Sequence, residues 1–140
     1  MRKKIATGTP MVKALACGIL EDSGRVLFLK RFDEHGIERL ELPSILVPSG
    51  KDPVSLLVAA FKEQTGIDAE LCDLLFERRH NAGTRRRKNF VPCLVFSFKT
   101  KKAVAKPATE FSGFKWLSVE DAKRSKLGRN SEWLRTSRPS

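Results

Sequence analysis

Two groups of residues in this chain have types and spacings that could do chemistry, and they ask for opposite partners. Ala60, Glu63 and Gln64 stand at i, i+3 and i+4 on one flank of a helical segment, where three carboxylates would chelate a divalent cation together. Only Glu63 is a carboxylate. The second group is Arg85-Arg86-Arg87-Lys88, within a stretch from Arg78 to Thr109 that holds ten positive residues and no acidic one. Guanidinium forks match phosphate oxygens bidentately, and neutralised phosphates release counterions, so this group asks for a polyanion. Arg78 and Arg79 extend it on the N-terminal side.

The elements that must position these residues carry clear signals. Asp52 is an N-cap, Pro53 fits the first helical position, and Gly66 fits a C-cap of positive φ, which bounds one helix. Val54, Leu57, Val58 and Phe61 recur at i, i+3, i+4 and i+7, so this stripe is expected to be the buried face. Leu71 to Phe76 and Phe90 to Phe98 read as strands, which makes His80 to Lys88 the tip of a hairpin and projects the arginine run from the body. Lys99 to Thr109 reads as a mobile basic connector, and Asn130 to Leu134 as a last turn whose Trp133 and Leu134 pack back.

The segment from Ile45 to Ile67 resembles the signature of the Nudix hydrolases: Gly, five residues, Glu, seven residues, Arg-Glu, an apolar residue, any residue, Glu-Glu, any residue, Gly and an apolar residue. Lys62-Glu63-Gln64-Thr65-Gly66-Ile67 sets the register. Phe61, Glu63, Gly66 and Ile67 match, whereas Ile45 stands for the first Gly, Lys51 for the first Glu, Ala59-Ala60 for Arg-Glu, and Gln64 for the last Glu. The flanks resemble the family as well. Val12 to Leu20, a turn at Glu21-Asp22-Ser23-Gly24, and Arg25 to Arg31 are similar to its opening hairpin, and Leu40 to Pro43 to the strand that leads into the signature. Phe114-Lys115-Trp116-Leu117, with the helix after it, is similar to its closing segment, although Gly113 stands where many relatives carry Glu. The resemblance spans roughly residues 11 to 127. It implies an α/β/α sandwich around a mixed β-sheet, and a divalent-ion site whose one surviving carboxylate is Glu63.

Magnesium wants oxygen ligands, mostly carboxylates, and one anionic residue beside Lys51 favours an anion over a cation. No metal ligand set is therefore expected, and Glu63 reads as a vestigial catalytic residue. An ordinary exposed glutamate paired with a lysine is the plainer account of it, as an ordinary loop lysine is of Lys51.

Composition sets the remaining limits. The chain has 140 residues, 27 Lys and Arg against 16 Asp and Glu, a net charge of +11, and hydrophobic residues at 41%. That suits one domain, 11–134, between a basic N-terminal arm, 1–10, and a basic tail, 135–140. No apolar run is long enough to span a membrane, and the basic start lacks the apolar segment of a signal peptide. Cys17, Cys72 and Cys93 follow no ligand spacing and read as reduced small hydrophobes, which fits the cytoplasm. His35 and His80 read as exposed loop histidines. With no tyrosine, and with most phenylalanines at apolar strand positions, only Phe32 and Phe90 are candidates for stacking on bases, core packing being the better account of Phe90.

These observations favour non-catalytic binding of RNA or another phosphate-rich nucleotide ligand, within a ribonucleoprotein assembly, through Lys51, Arg78, Arg79, Arg85, Arg86, Arg87 and Lys88. No cofactor is needed for that. The rival reading is a magnesium-dependent hydrolase of nucleoside diphosphate derivatives, with Glu41, Glu70 or Glu110 rebuilding the metal site beside Glu63. A protein-interaction subunit that meets an acidic partner carries the same charges.

Overall fold

Alternation with a period of two along Val12–Asp22 (β1) determines the architecture, because it sends successive side chains into two different cores. Leu15 and Cys17 enter one, Ala14, Ala16 and Leu20 the other, and all five are buried. A strand apolar on both faces must be covered on both. In the computed structural model, which describes residues 11–136, β1 is the centre of a seven-stranded mixed sheet. The strands after it are Arg25–Phe32 (β2), Glu38–Glu41 (β3), Ser44–Pro48 (β4), Glu70–Asn81 (β5), Phe90–Lys99 (β6) and Gly113–Leu117 (β7). The helices are Pro53–Thr65 (α1), Val119–Lys123 (α2) and Trp133–Thr136 (α3), with a 3₁₀ turn at Arg129–Ser131. Residues 1–10 of the expected arm and 137–140 of the expected tail lie outside the described residues.

The main path of the sheet runs β3-β2-β1-β6-β5, with β4 on the first half of β1 and β7 on β2. Only β1 and β6 are parallel, pairing residues 15–20 with residues 93–98, and the other pairs are antiparallel. One face packs on Leu57 and Phe61 of α1, the other on Ala122, Leu127, Trp133 and Leu134. The α/β sandwich around a mixed sheet expected from the sequence is thus the fold observed. Arg135, assigned to the tail by its charge, lies in α3 and donates to the carbonyls of Lys123 and Ser125.

α1 has the expected limits. The Asp52 carboxylate accepts from the amides of Val54 and Ser55, and Gly66 closes the helix at φ 73°. A side chain at Gly66 is doubly barred, since a Cβ there would stand 2.6 Å from the Lys106 carbonyl oxygen. The buried face differs from the expected stripe: Leu57, Ala60, Phe61 and Thr65 are inside, while Val54 and Val58 are each 38% exposed. Phe61 is the reason. Its ring stacks on Phe98 at 4.1 Å and rotates the helix until small Ala60, rather than Val58, faces the sheet. Gly18 makes room for the stack, because a Cβ there would approach Phe98 to 2.7 Å and Phe61 to 2.9 Å. Full burial of Leu57 and Phe61 contributes roughly 1.5–3 kcal/mol each.

Two further expectations change. The connector after β6 is fastened to the end of α1, through Lys106 N to Thr65 O at 2.7 Å and Ala108 N to Gln64 O at 3.1 Å. β5 runs on to Asn81, so Arg78, Arg79 and His80 belong to a strand and the hairpin tip is shorter than expected. The antiparallel partner β6 supplies the extra register, His80 facing Val91 and Asn81 facing Phe90.

Candidate functional site

Where the end of β5, the hairpin tip, the β2–β3 hairpin and the C-terminal turn meet, the surface opens into a cleft of about 800 Å³. β2 and β3 contribute Arg31, Arg39 and Glu41, β5 contributes Arg79, His80 and Asn81, the tip contributes Arg85, and the C-terminal turn contributes Arg129 and Trp133. The tip is shaped by a side chain. Asn81 Oδ1 accepts from the amides of Gly83 and Asn89, and Arg87 N donates to Thr84 Oγ1, which closes a turn that leaves the basic side chains outward.

Charge in the cleft is mixed, with Asp33, Glu34, Glu41 and Glu132 among the residues that line it. On the β2–β3 side each guanidinium has a carboxylate: Arg31 Nη2 donates to Glu41 Oε2 at 2.6 Å, and Arg39 Nε to Asp33 Oδ2 at 2.6 Å. The Arg39 hydrogen bond, helped by the amides of Ile37 and His35, holds the Asp33 carboxyl at about 2. On the hairpin side none of the guanidiniums forms an ion pair among the described residues. Arg79 lies over the Phe90 ring at 4.3 Å, Arg129 donates to the Asn81 carbonyl at 3.3 Å, and Arg85 stands exposed. Between them His80 is buried, and desolvation, followed by the charge of Arg129, pushes its pKa down. His80 lines the cleft together with Arg79, Arg85 and Arg129, and these guanidiniums can attract an oxyanion.

The residues named from sequence do not gather in one site. Arg79 and Arg85 line the cleft. Arg86, Arg87 and Lys88 are exposed on the same tip outside it, and Arg78 lies over Phe76 at 4.3 Å while donating to the Glu77 carbonyl. Lys51 and Glu63 are exposed at the two ends of α1 and do not line the cleft. Of the carboxylates outside the signature, Glu41 holds Arg31, Glu70 pairs with Lys99 at 3.3 Å, and Glu110 is exposed. Among the described residues no three of His, Cys, Asp and Glu gather as a metal-binding group.

Sequence reasoning missed Arg31, Arg39, His80 and Arg129. Phe90 was expected in the core, yet it is 49% exposed because it is the platform under Arg79. His80 was expected in a loop, and the extension of β5 buries it instead. Arg129 follows Gly128, whose amide donates to the Leu40 carbonyl, and is carried to the cleft by this pairing of Leu127 and Gly128 with β3, a long-range event that no local pattern announces.

The order of strands, with one long helix on one face and the closing elements on the other, is the Nudix fold. No family model matches the sequence, and no curated protein does. Solved structures match closely in shape. The MutT protein of Methanosarcina mazei Go1 has a TM-score of 0.68 at 18% identity, with 91% of this chain and 92% of that chain covered. The E. coli ORF135 protein has 0.69 at 17%, with 91% of each covered. The Nudix domain of Shewanella oneidensis NrtR, solved with ADP ribose, has 0.62 at 14%, with 94% and 90% covered. Among the described residues no helix is long and apolar enough to cross a membrane.

Proposed function

We propose that this protein binds a phosphate-rich ligand, RNA or a nucleotide, without hydrolysing it. The cleft takes one end, and the tip from Arg85 to Lys88 tracks the backbone that leaves it. The observation that carries this is that Arg79, Arg85 and Arg129, which form no ion pair among the described residues, line one cleft. Phosphate oxygens satisfy such forks, and all three guanidiniums are exposed and open to a ligand. A Nudix domain of the same shape holds ADP ribose, a nucleoside diphosphate derivative.

The residues at the family's metal positions do not fit a magnesium cage. One exposed carboxylate, Glu63, stands beside a buried alanine and a carboxamide, and Glu41 and Glu70 are held by cations. Phosphate recognition without a cofactor, in a ribonucleoprotein or with another polyanionic partner, accords with that donor set. Cys17, Cys72 and Cys93, all free thiols, suit the cytoplasm.

Protein freed of copurified nucleic acid is titrated against a labelled structured RNA and a nucleotide panel, with and without Mg²⁺, while phosphate release is assayed in the same tubes. Salt-sensitive, metal-independent binding without turnover is the expected result. Mg²⁺-dependent release that falls in Glu63→Gln would replace this reading with a hydrolase.

A further inference from the structure

Gln64 makes two hydrogen bonds to a single residue. Its Oε1 accepts from Ser44 N at 3.2 Å, and its Nε2 donates to Ser44 O at 2.8 Å. Ser44 opens β4, opposite Cys17 of β1, so this pair of bonds fastens the last turn of α1 to the centre of the sheet across twenty residues of sequence. Only a carboxamide satisfies both partners by itself, because it carries a donor and an acceptor in one plane. A carboxylate at position 64 would still accept from Ser44 N, but its second oxygen would face the Ser44 carbonyl with no proton between them. A divalent cation is one species that can bridge two such oxygens.

We propose that the Gln64 carboxamide stands in for a divalent ion at this helix–strand junction, so that the fold is closed without metal. Ala60, one turn earlier on the same flank, is a buried packing residue. The Ala108 amide on the Gln64 carbonyl fixes the backbone from which the clasp is made.

Thermal unfolding of wild type, Gln64→Ala and Gln64→Glu, each in MgCl₂ or MnCl₂ and in NaCl of equal ionic strength, tests this independently of whatever the cleft binds. Wild type is expected to unfold at the same temperature in all three salts. Gln64→Ala loses several degrees and no salt restores them. Gln64→Glu is less stable in NaCl and recovers in Mn²⁺ in a saturable way, with free Mn²⁺ depleted in electron paramagnetic resonance. If Gln64→Glu does not fold alone, refolding with and without Mn²⁺ reads the same dependence. Divalent stabilisation of the wild type, an unchanged Gln64→Ala, or a Gln64→Glu protein indifferent to Mn²⁺ would each overturn the proposal.

Discussion

Replacing Arg85, Arg86 and Arg87 together by alanine removes three exposed guanidiniums that form no ion pair among the described residues, from a tip whose own hydrogen bonds run through Asn81, Thr84 and the backbone. The fold should therefore be indifferent to the change. If each arginine meets one phosphate of a single strand, the slope of log K against log salt becomes shallower by about 2. Between ~50 and ~200 mM salt the wild type would then lose roughly 20-fold more affinity than the variant. Fluorescence anisotropy with a labelled single-stranded RNA at several salt concentrations measures the slope directly, and a melting curve checks that the variant is folded. A triple variant with wild-type melting, wild-type affinity and an unchanged slope would refute the argument.

Gly18→Ala places a Cβ against both rings of the Phe61–Phe98 stack and should cost about 1–3 kcal/mol in urea unfolding; an unchanged midpoint would mean that the stack yields freely. Asp33 is held at about 2 in the fold against 3.8 unfolded. A lowered folded value gives stability that is present above the unfolded value and lost as pH falls through the folded one. Asp33→Asn should accordingly be less acid-sensitive than wild type in melting experiments run from about pH 5 to about pH 2, and parallel curves would contradict the Arg39–Asp33 account. A thiol reagent should label Cys72 rapidly and leave Cys17 and Cys93 until denaturant is added, because both are buried and burial pushes the Cys17 thiol up. Early labelling of all three would show that the sheet centre opens.

Local signals made much of the fold legible. Asp52, Pro53 and Gly66 fixed α1 because capping is a property of neighbours in sequence, and the Glu21 to Gly24 turn fixed the first hairpin for the same reason. What local signals could not reveal was rotation and reach. Val54 and Val58 fit an apolar stripe as well as Ala60 does, and only the Phe98 ring, far along the chain, decides which residues face inward. The cleft was half visible. Arg79 and Arg85 were marked by the missing acids around them, but Arg31, Arg39 and Arg129 come from three other elements, and their meeting depends on the sheet order.

The parallel pairing of β1 with β6 has a consequence for synthesis. Cys17 and Cys93, whose sulfurs lie 3.9 Å apart in the finished sheet, are 76 residues apart in the chain. On the ribosome β1 can pair early with β2 and β4, but its other edge waits until β6 has emerged. Closing so long a loop is an entropic expense met only late, so folding should be slow and of high contact order. Through that interval the nascent chain carries an unpaired, apolar strand edge at its centre, which makes translation speed and chaperone access the conditions on which its yield depends.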